Sequence, residues 1–286
     1  MEAIWGWSSD LKWYQKFVAS LMYLVIAGDT GTTTKYLSFE ATSTSAMTTL
    51  WNYFEPLGMI LIMIYFCVDL SKTQLEQRGD MTIQSAFAPF LKLLSGLVII
   101  SQGKQILSGF LGMNNSMMNW IESADLWNVT GTDPATSLSG TFMEICSDLK
   151  LLQAIIIVVA MLIVFLLSRL CYLVIQYQAI SRKIEMVIRG GLMPIAIGDV
   201  YKGLDSNGVR YMKKFVALCL WGLAMMATVQ IGNGLCVSNM VSMFSGSFTD
   251  DPFRLIETLL STIVFPLAEA GMASASKQVC MDVMGC

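Results

Sequence analysis

The stretch LLQAIIIVVAMLIVFLL, Leu151–Leu167, decides the fold. It holds no ionisable side chain, and its apolar character extends to Tyr177 past Arg169, whose long stem can carry its charge to a membrane face. A helix needs roughly 20 consecutive apolar residues to cross a bilayer, and this run reaches that length. Four further stretches read the same way: Leu50 to Leu70, Phe87 to Leu107, Phe215 to Leu235 and Leu255 to Gly271, each bounded by charges or by Gly, Ser and Asn. Phe17 to Ala27 is too short for a confident span. Trp5, Trp7, Trp13 and Tyr14 before it favour the headgroup region, so it reads as an interfacial helix, with a sixth span as the alternative. The expected fold is therefore all-α: a polytopic helical membrane protein with five transmembrane helices plus an N-terminal interfacial amphipathic helix, or six spans. Composition agrees, because the 286 residues are 55% hydrophobic and only 14% charged, with a mean hydropathy of +0.59. An ordinary globular domain is about one quarter charged. The first residues, Met1 to Lys12, carry Glu2 and Asp10 with no basic lead into an apolar run, so they do not resemble a cleaved signal peptide.

Orientation follows from the loops, since Lys and Arg are retained on the cytoplasmic side. Residues 178–214 contain Arg182, Lys183, Arg189, Lys202, Arg210, Lys213 and Lys214 against Glu185, Asp199 and Asp205. This segment is expected inside. Residues 112–149 contain no Lys or Arg before Lys150 and carry Glu122, Asp125, Asp133, Glu144 and Asp148, so they belong outside. The chain divides accordingly into an interfacial segment and polar loop (1–49), a transmembrane hairpin (50–111), an external acidic loop (112–149), a helical part (150–272) containing the basic loop 178–214, and a cytoplasmic tail (273–286).

Several activities lose their usual parts. Histidine is absent, which removes the commonest general base and metal ligand. The seven cysteines form no C-x-x-C pair, and no cofactor is implied. Met occurs 21 times but scattered through apolar runs, as packing filler rather than a soft-metal site. Ala196-Ile197-Gly198-Asp199 superficially matches an aspartyl intramembrane protease, yet no partner Asp lies within the core of another span. Asn128-Val129-Thr130 fits a glycosylation acceptor, a motif without meaning unless the cell modifies such loops. An enzyme is not expected.

The residues left to carry function are polar ones at or within the spans. In RKIEMVIRGGLMPIAIGDV, a short amphipathic helix is interrupted at Gly190, Gly191 and Pro194, forming an elbow at the membrane surface. Leu204 to Gly208 can cap the next helix, whose Arg210, Lys213 and Lys214 share a face. Anionic lipid is the simpler ligand for that face, and nucleic-acid phosphate or an acidic partner the alternative. Along Phe87 to Leu107, Pro89, Lys92, Ser95, Gln102 and Gly103 form a polar and small stripe that should face protein or water, with Lys92 lining a passage or snorkelling inward. Glu55, Glu257 and Glu269 fall near expected span ends and read as interfacial carboxylates. Ala224 and Thr228, one turn apart, allow close helix approach and self-association. Cys146 and Cys236 are the two cysteines expected at the external face, where a disulfide between them is possible chemistry.

This order of parts resembles the TrbL family, the VirB-six-like polytopic subunit of conjugative type IV secretion systems. The likeness lies in Arg182-Lys183-Ile184-Glu185 through Arg189-Gly190-Gly191-Leu192-Met193-Pro194-Ile195-Ala196, then Tyr211-Met212-Lys213-Lys214-Phe215, and in Asp80-Met81-Thr82-Ile83 leading to Phe90-Leu91-Lys92. It covers about Leu50 to Gly271. The resemblance implies a bacterial inner-membrane homo-oligomer, pentameric in relatives, acting as channel or scaffold beside ATPases and other membrane subunits, with transiting single-stranded DNA or protein as cargo. The alternative is a small solute transporter or ion channel subunit, which would show internal repeats. None is evident in the sequence.

Overall fold

The computed structural model describes residues 12–26, 41–76, 83–123, 150–202, 206–244, 257 and 260–285, and these are helical with short turns. The helices are α1 (Trp13–Ile26), α2 (Ala41–Glu76), α3 (Ile83–Ser123), α4 (Leu151–Gly191), α5 (Met193–Val200), α6 (Asn207–Phe244) and α7 (Val264–Val283). Four of them are long and apolar enough to cross a membrane, over Ser43–Glu76, Phe87–Ile121, Gln153–Gly191 and Asn207–Cys236. The protein is a helical membrane protein. With 14 residues, α1 rises about 21 Å, short of the roughly 30 Å hydrocarbon core.

Local chemistry sets the helix ends. At the start of α4 the Lys150 N–H donates to Gln153 Oε1 at 3.1 Å, the reciprocal half of a capping box. At the start of α6 the Val209 N–H donates to Ser206 Oγ at 3.4 Å, so Ser206 caps that helix. Between α4 and α5 the break falls at Leu192, immediately before Met193 and Pro194. Pro194 lacks an N–H and is accommodated where the first turn of a helix leaves such groups unused.

Contacts divide the chain into two compact units. One comprises Met1–Tyr36, Trp120–Gln178 and Met225–Ala275, and its interior includes Ile157, Met161 and Val164 of α4 with Met225, Met226 and Val229 of α6. The opposite side of α4 exposes Ile155, Val159, Leu162, Leu166 and Leu173, an apolar surface suited to lipid. The other comprises Leu37–Asn119, Ala179–Ala224 and Ser276–Cys286. There α3 buries one seam, Leu93, Ile100, Leu107, Leu111, Asn114 and Met118, at the three- and four-residue spacing of a narrow helical stripe. Glycines permit the approach of neighbouring helices: Gly96 packs on Ile62, and Gly103 takes the indole of Trp51.

The helix α4 ends at Gly191 and α5 begins at Met193. In the last turn of α4 Gly190 meets Met47 and Leu107 and Gly191 meets Leu50, so their missing side chains also serve close packing. Other expectations are corrected. The helix begun before Phe87 continues past Gly112 to Ser123, because a run of Met and Asn holds no proline or glycine to stop it; residues 124–149 lie outside the described part. A turn at Thr262 and Ile263 breaks the span expected over Leu255 to Gly271, with Glu257, Leu260 and Ser261 helical before it, and the helix that follows, Val264–Val283, runs through the segment expected as a tail. Small residues Ala273 and Ser276 let that helix pack, and both are buried with Cys280.

Candidate functional site

Several polar side chains meet at the elbow. Asp199, near the end of α5, accepts from Lys202 Nζ at 2.7 Å, from the Tyr65 hydroxyl at 3.4 Å and from the Gly208 N–H at 3.2 Å. The Lys202 hydrogen bond, aided by the Gly208 N–H, holds its carboxyl below the ordinary range against a smaller opposing effect of burial. Tyr201 stacks on Tyr65 with ring centroids 6.4 Å apart, and its hydroxyl donates to the Pro89 carbonyl at 3.3 Å. Burial and the charge of Asp69 push that hydroxyl up to about 12. Lys202 lies 4.4 Å over the Tyr65 ring and Lys92 5.6 Å over that of Tyr201. These contacts tie α2, α3, α5 and the start of α6 into one latch.

Lys92 therefore has partners within the chain, since it also pairs with Asp69 at 3.6 Å, while Lys104 pairs with Glu55 at 2.8 Å. Of the basic loop, Arg182 and Arg189 are internal. Arg189 pairs with Glu185 at 2.8 Å, Glu185 pairs with Lys277 of α7 at 2.9 Å, and the Tyr211 hydroxyl donates to the Arg189 carbonyl at 3.0 Å. Lys277 sits 5.1 Å over the Trp221 ring. Arg182 is fully buried, and its guanidinium donates to the carbonyls of Leu218 at 2.8 Å and Cys219 at 3.4 Å. Arg210, Lys213 and Lys214 remain exposed on α6 and keep their predicted common side.

The expected polar stripe of α3 is split. Pro89 and Gly103 are buried, whereas Lys92, Ser95 and Gln102 are exposed. A longer exposed face continues beyond it through Ser101, Gln105, Ser108, Gly109, Gly112, Ser116 and Asn119, close to the helical repeat. A Cβ at Gly109 or Gly112 would meet nothing within 4 Å, so intrachain packing does not account for either glycine. Sequence reading stopped this stripe at Gly103 because it ended the helix too early. Ala224 and Thr228, by contrast, are half-buried within their own chain.

Cys236 is half-buried on α6, and its expected partner Cys146 lies outside the described residues. Glu269 departs from its reading as an interfacial carboxylate, because it is 3% exposed. The room it fills is left by Gly232 of α6, whereas Ala268 and Gly271 beside it in sequence are exposed. Comparison of the chain with protein-family models, curated proteins and solved structures finds no match in any of the three.

Proposed function

We propose that the chain is a channel or scaffold subunit of a conjugative type IV secretion apparatus in a bacterial cell membrane, a non-enzymatic homo-oligomer in which α3 borders the passage. The exposed face of α3 carries this reading. Gln102 and Gln105 stand near the middle of Phe87–Ile121, and neither side-chain amide has a hydrogen-bond partner among the described residues. An amide left bare in hydrocarbon costs about 4–8 kcal/mol, so such groups belong against protein or a water-filled cavity. Serines escape this penalty by bonding back to their own helix, as Ser101 does to the Val98 carbonyl at 3.0 Å and Ser108 to that of Gln105 at 2.9 Å. Glutamine amides here have no such outlet. The open glycines beside them suit close approach of another helix, and a second copy of the chain supplies one.

The secretion assignment draws on the resemblance in the order of parts and on the elbow sequence, with other membrane subunits and ATPases as partners. The exposed Arg210, Lys213 and Lys214 offer a place for anionic lipid or an acidic partner. The test replaces the native gene in a donor cell and measures DNA transfer to a recipient. Loss of the chain is expected to abolish transfer. Gln102→Leu with Gln105→Leu should insert in the membrane at normal level yet lower transfer about tenfold or more, the equivalent of 1.4 kcal/mol. Normal transfer without the chain would refute the secretion role, and normal transfer with the paired leucines would refute the role of this face.

A further inference from the structure

In the unit containing the first part of α4, one acid is buried with no cationic side chain beside it among the described residues. Glu269 of α7 is 3% exposed, and its Oε2 is buried without a hydrogen-bond partner among the described residues. Its carboxyl occupies the space that a side chain at Gly232 would fill, since a Cβ there would overlap Oε1, Cγ and Cδ. Gly232 of α6 thus makes the seat. Among the described residues the titratable groups within electrostatic reach are Cys171 and Tyr172 on α4 and Cys236 on α6, none of them a cation in any protonation state. Arg169, whose guanidinium lies 5.0 Å over the Phe165 ring, acts on Tyr172.

Taking a carboxylate out of water costs several kcal/mol, and a group so placed neutralises by taking up a proton instead. We propose that Glu269 is a proton-binding site: the resting protein holds it as an un-ionised carboxyl, and it gives the proton to water when the packing of α4, α6 and α7 over Gly232 opens. The exchange is one carboxyl and one water giving one carboxylate and one hydronium ion. It makes the packing of this unit proton-linked, independently of any role in secretion.

Infrared titration of the full chain in lipid vesicles tests this. An exposed glutamate has a pKa near 4.3 and is ionised at pH 7. The wild-type chain is expected to show the carbonyl band of an un-ionised carboxyl at pH 7, with a midpoint at least about two units above that value, or about a hundredfold tighter proton binding. In Glu269→Gln the band should vanish, whereas in Glu257→Gln it should persist. A wild-type chain without the band at pH 7, or a band unchanged in Glu269→Gln, would overturn the proposal. Carbodiimide labelling gives a second readout, because the reagent requires a protonated carboxyl. Glu269 should be modified at pH 7 and Glu185, paired with Arg189 and Lys277, should be spared. The reverse selectivity would also overturn it.

Discussion

Gly222→Ala is expected to destabilise the folded chain by about 3–5 kcal/mol, the range for disrupting a buried charge. A Cβ at position 222 would overlap the guanidinium carbon and both terminal nitrogens of Arg182. Nε donates to the Leu218 carbonyl and Nη2 to that of Cys219, in the turn of α6 that precedes Gly222, because no side chain stands in the way. The guanidinium is fully buried and has nowhere to retreat without losing these bonds. A glycine-to-alanine change inside a helix ordinarily gains about 0.5–1 kcal/mol, so a loss reports the contact itself. Arg182→Met should relieve the clash: in that background Gly222→Ala is expected to cost less than about 1 kcal/mol, a coupling typical of residues in contact. Thermal unfolding in detergent of the four members of the cycle measures this. Additive effects would contradict the assigned contact.

Gly58→Ala should undock the elbow. A Cβ there would overlap the Pro194 carbonyl, stand 2.7 Å from its carbon and come within 3.2 Å of Ile100 Cδ1. A backbone carbonyl cannot swing aside as a side-chain tip can, so α2 and α5 must separate. The expected loss is about 1–3 kcal/mol, the usual effect of overpacking, and the latch around Asp199 would loosen with it. Trypsin cleavage after Lys202 reads this out, since that side chain is 54% exposed and its backbone is held by the elbow. Faster cleavage than wild type is expected, and unchanged cleavage with unchanged stability would show that the two helices have room to spare.

How much of this was legible depended on whether the deciding partner lay nearby in the chain. The α4 span was readable because its apolar run needs no neighbour to explain it. So were the cap at Ser206 and the break at Pro194, which are local effects of a hydroxyl and of a missing N–H. The packing role of Gly190 and Gly191 was not legible, because their partners, Met47 and Leu50, lie more than a hundred residues away in sequence. The burial of Arg182 was hidden for a related reason, since the carbonyls that receive its guanidinium, those of Leu218 and Cys219, belong to the next long helix. Glu269 was placed at a span end by an apolar window beginning at Leu255, whereas α7 begins at Val264 and packs the acid onto Gly232.

The central claim is that one face of α3 meets water or a second copy while another meets lipid, and cysteine accessibility along that helix tests it most directly. In a chain whose seven native cysteines are replaced, single cysteines at Ser101, Gln105, Ser108 and Gly112 would be compared with cysteines at Ile99, Ile106 and Met113, which are exposed on the apolar side. The account predicts that the first set reacts with a small water-soluble thiol reagent or crosslinks between copies, and that the second set does neither. Equal reactivity of the two sets, or reaction confined to Ile99, Ile106 and Met113, would contradict it.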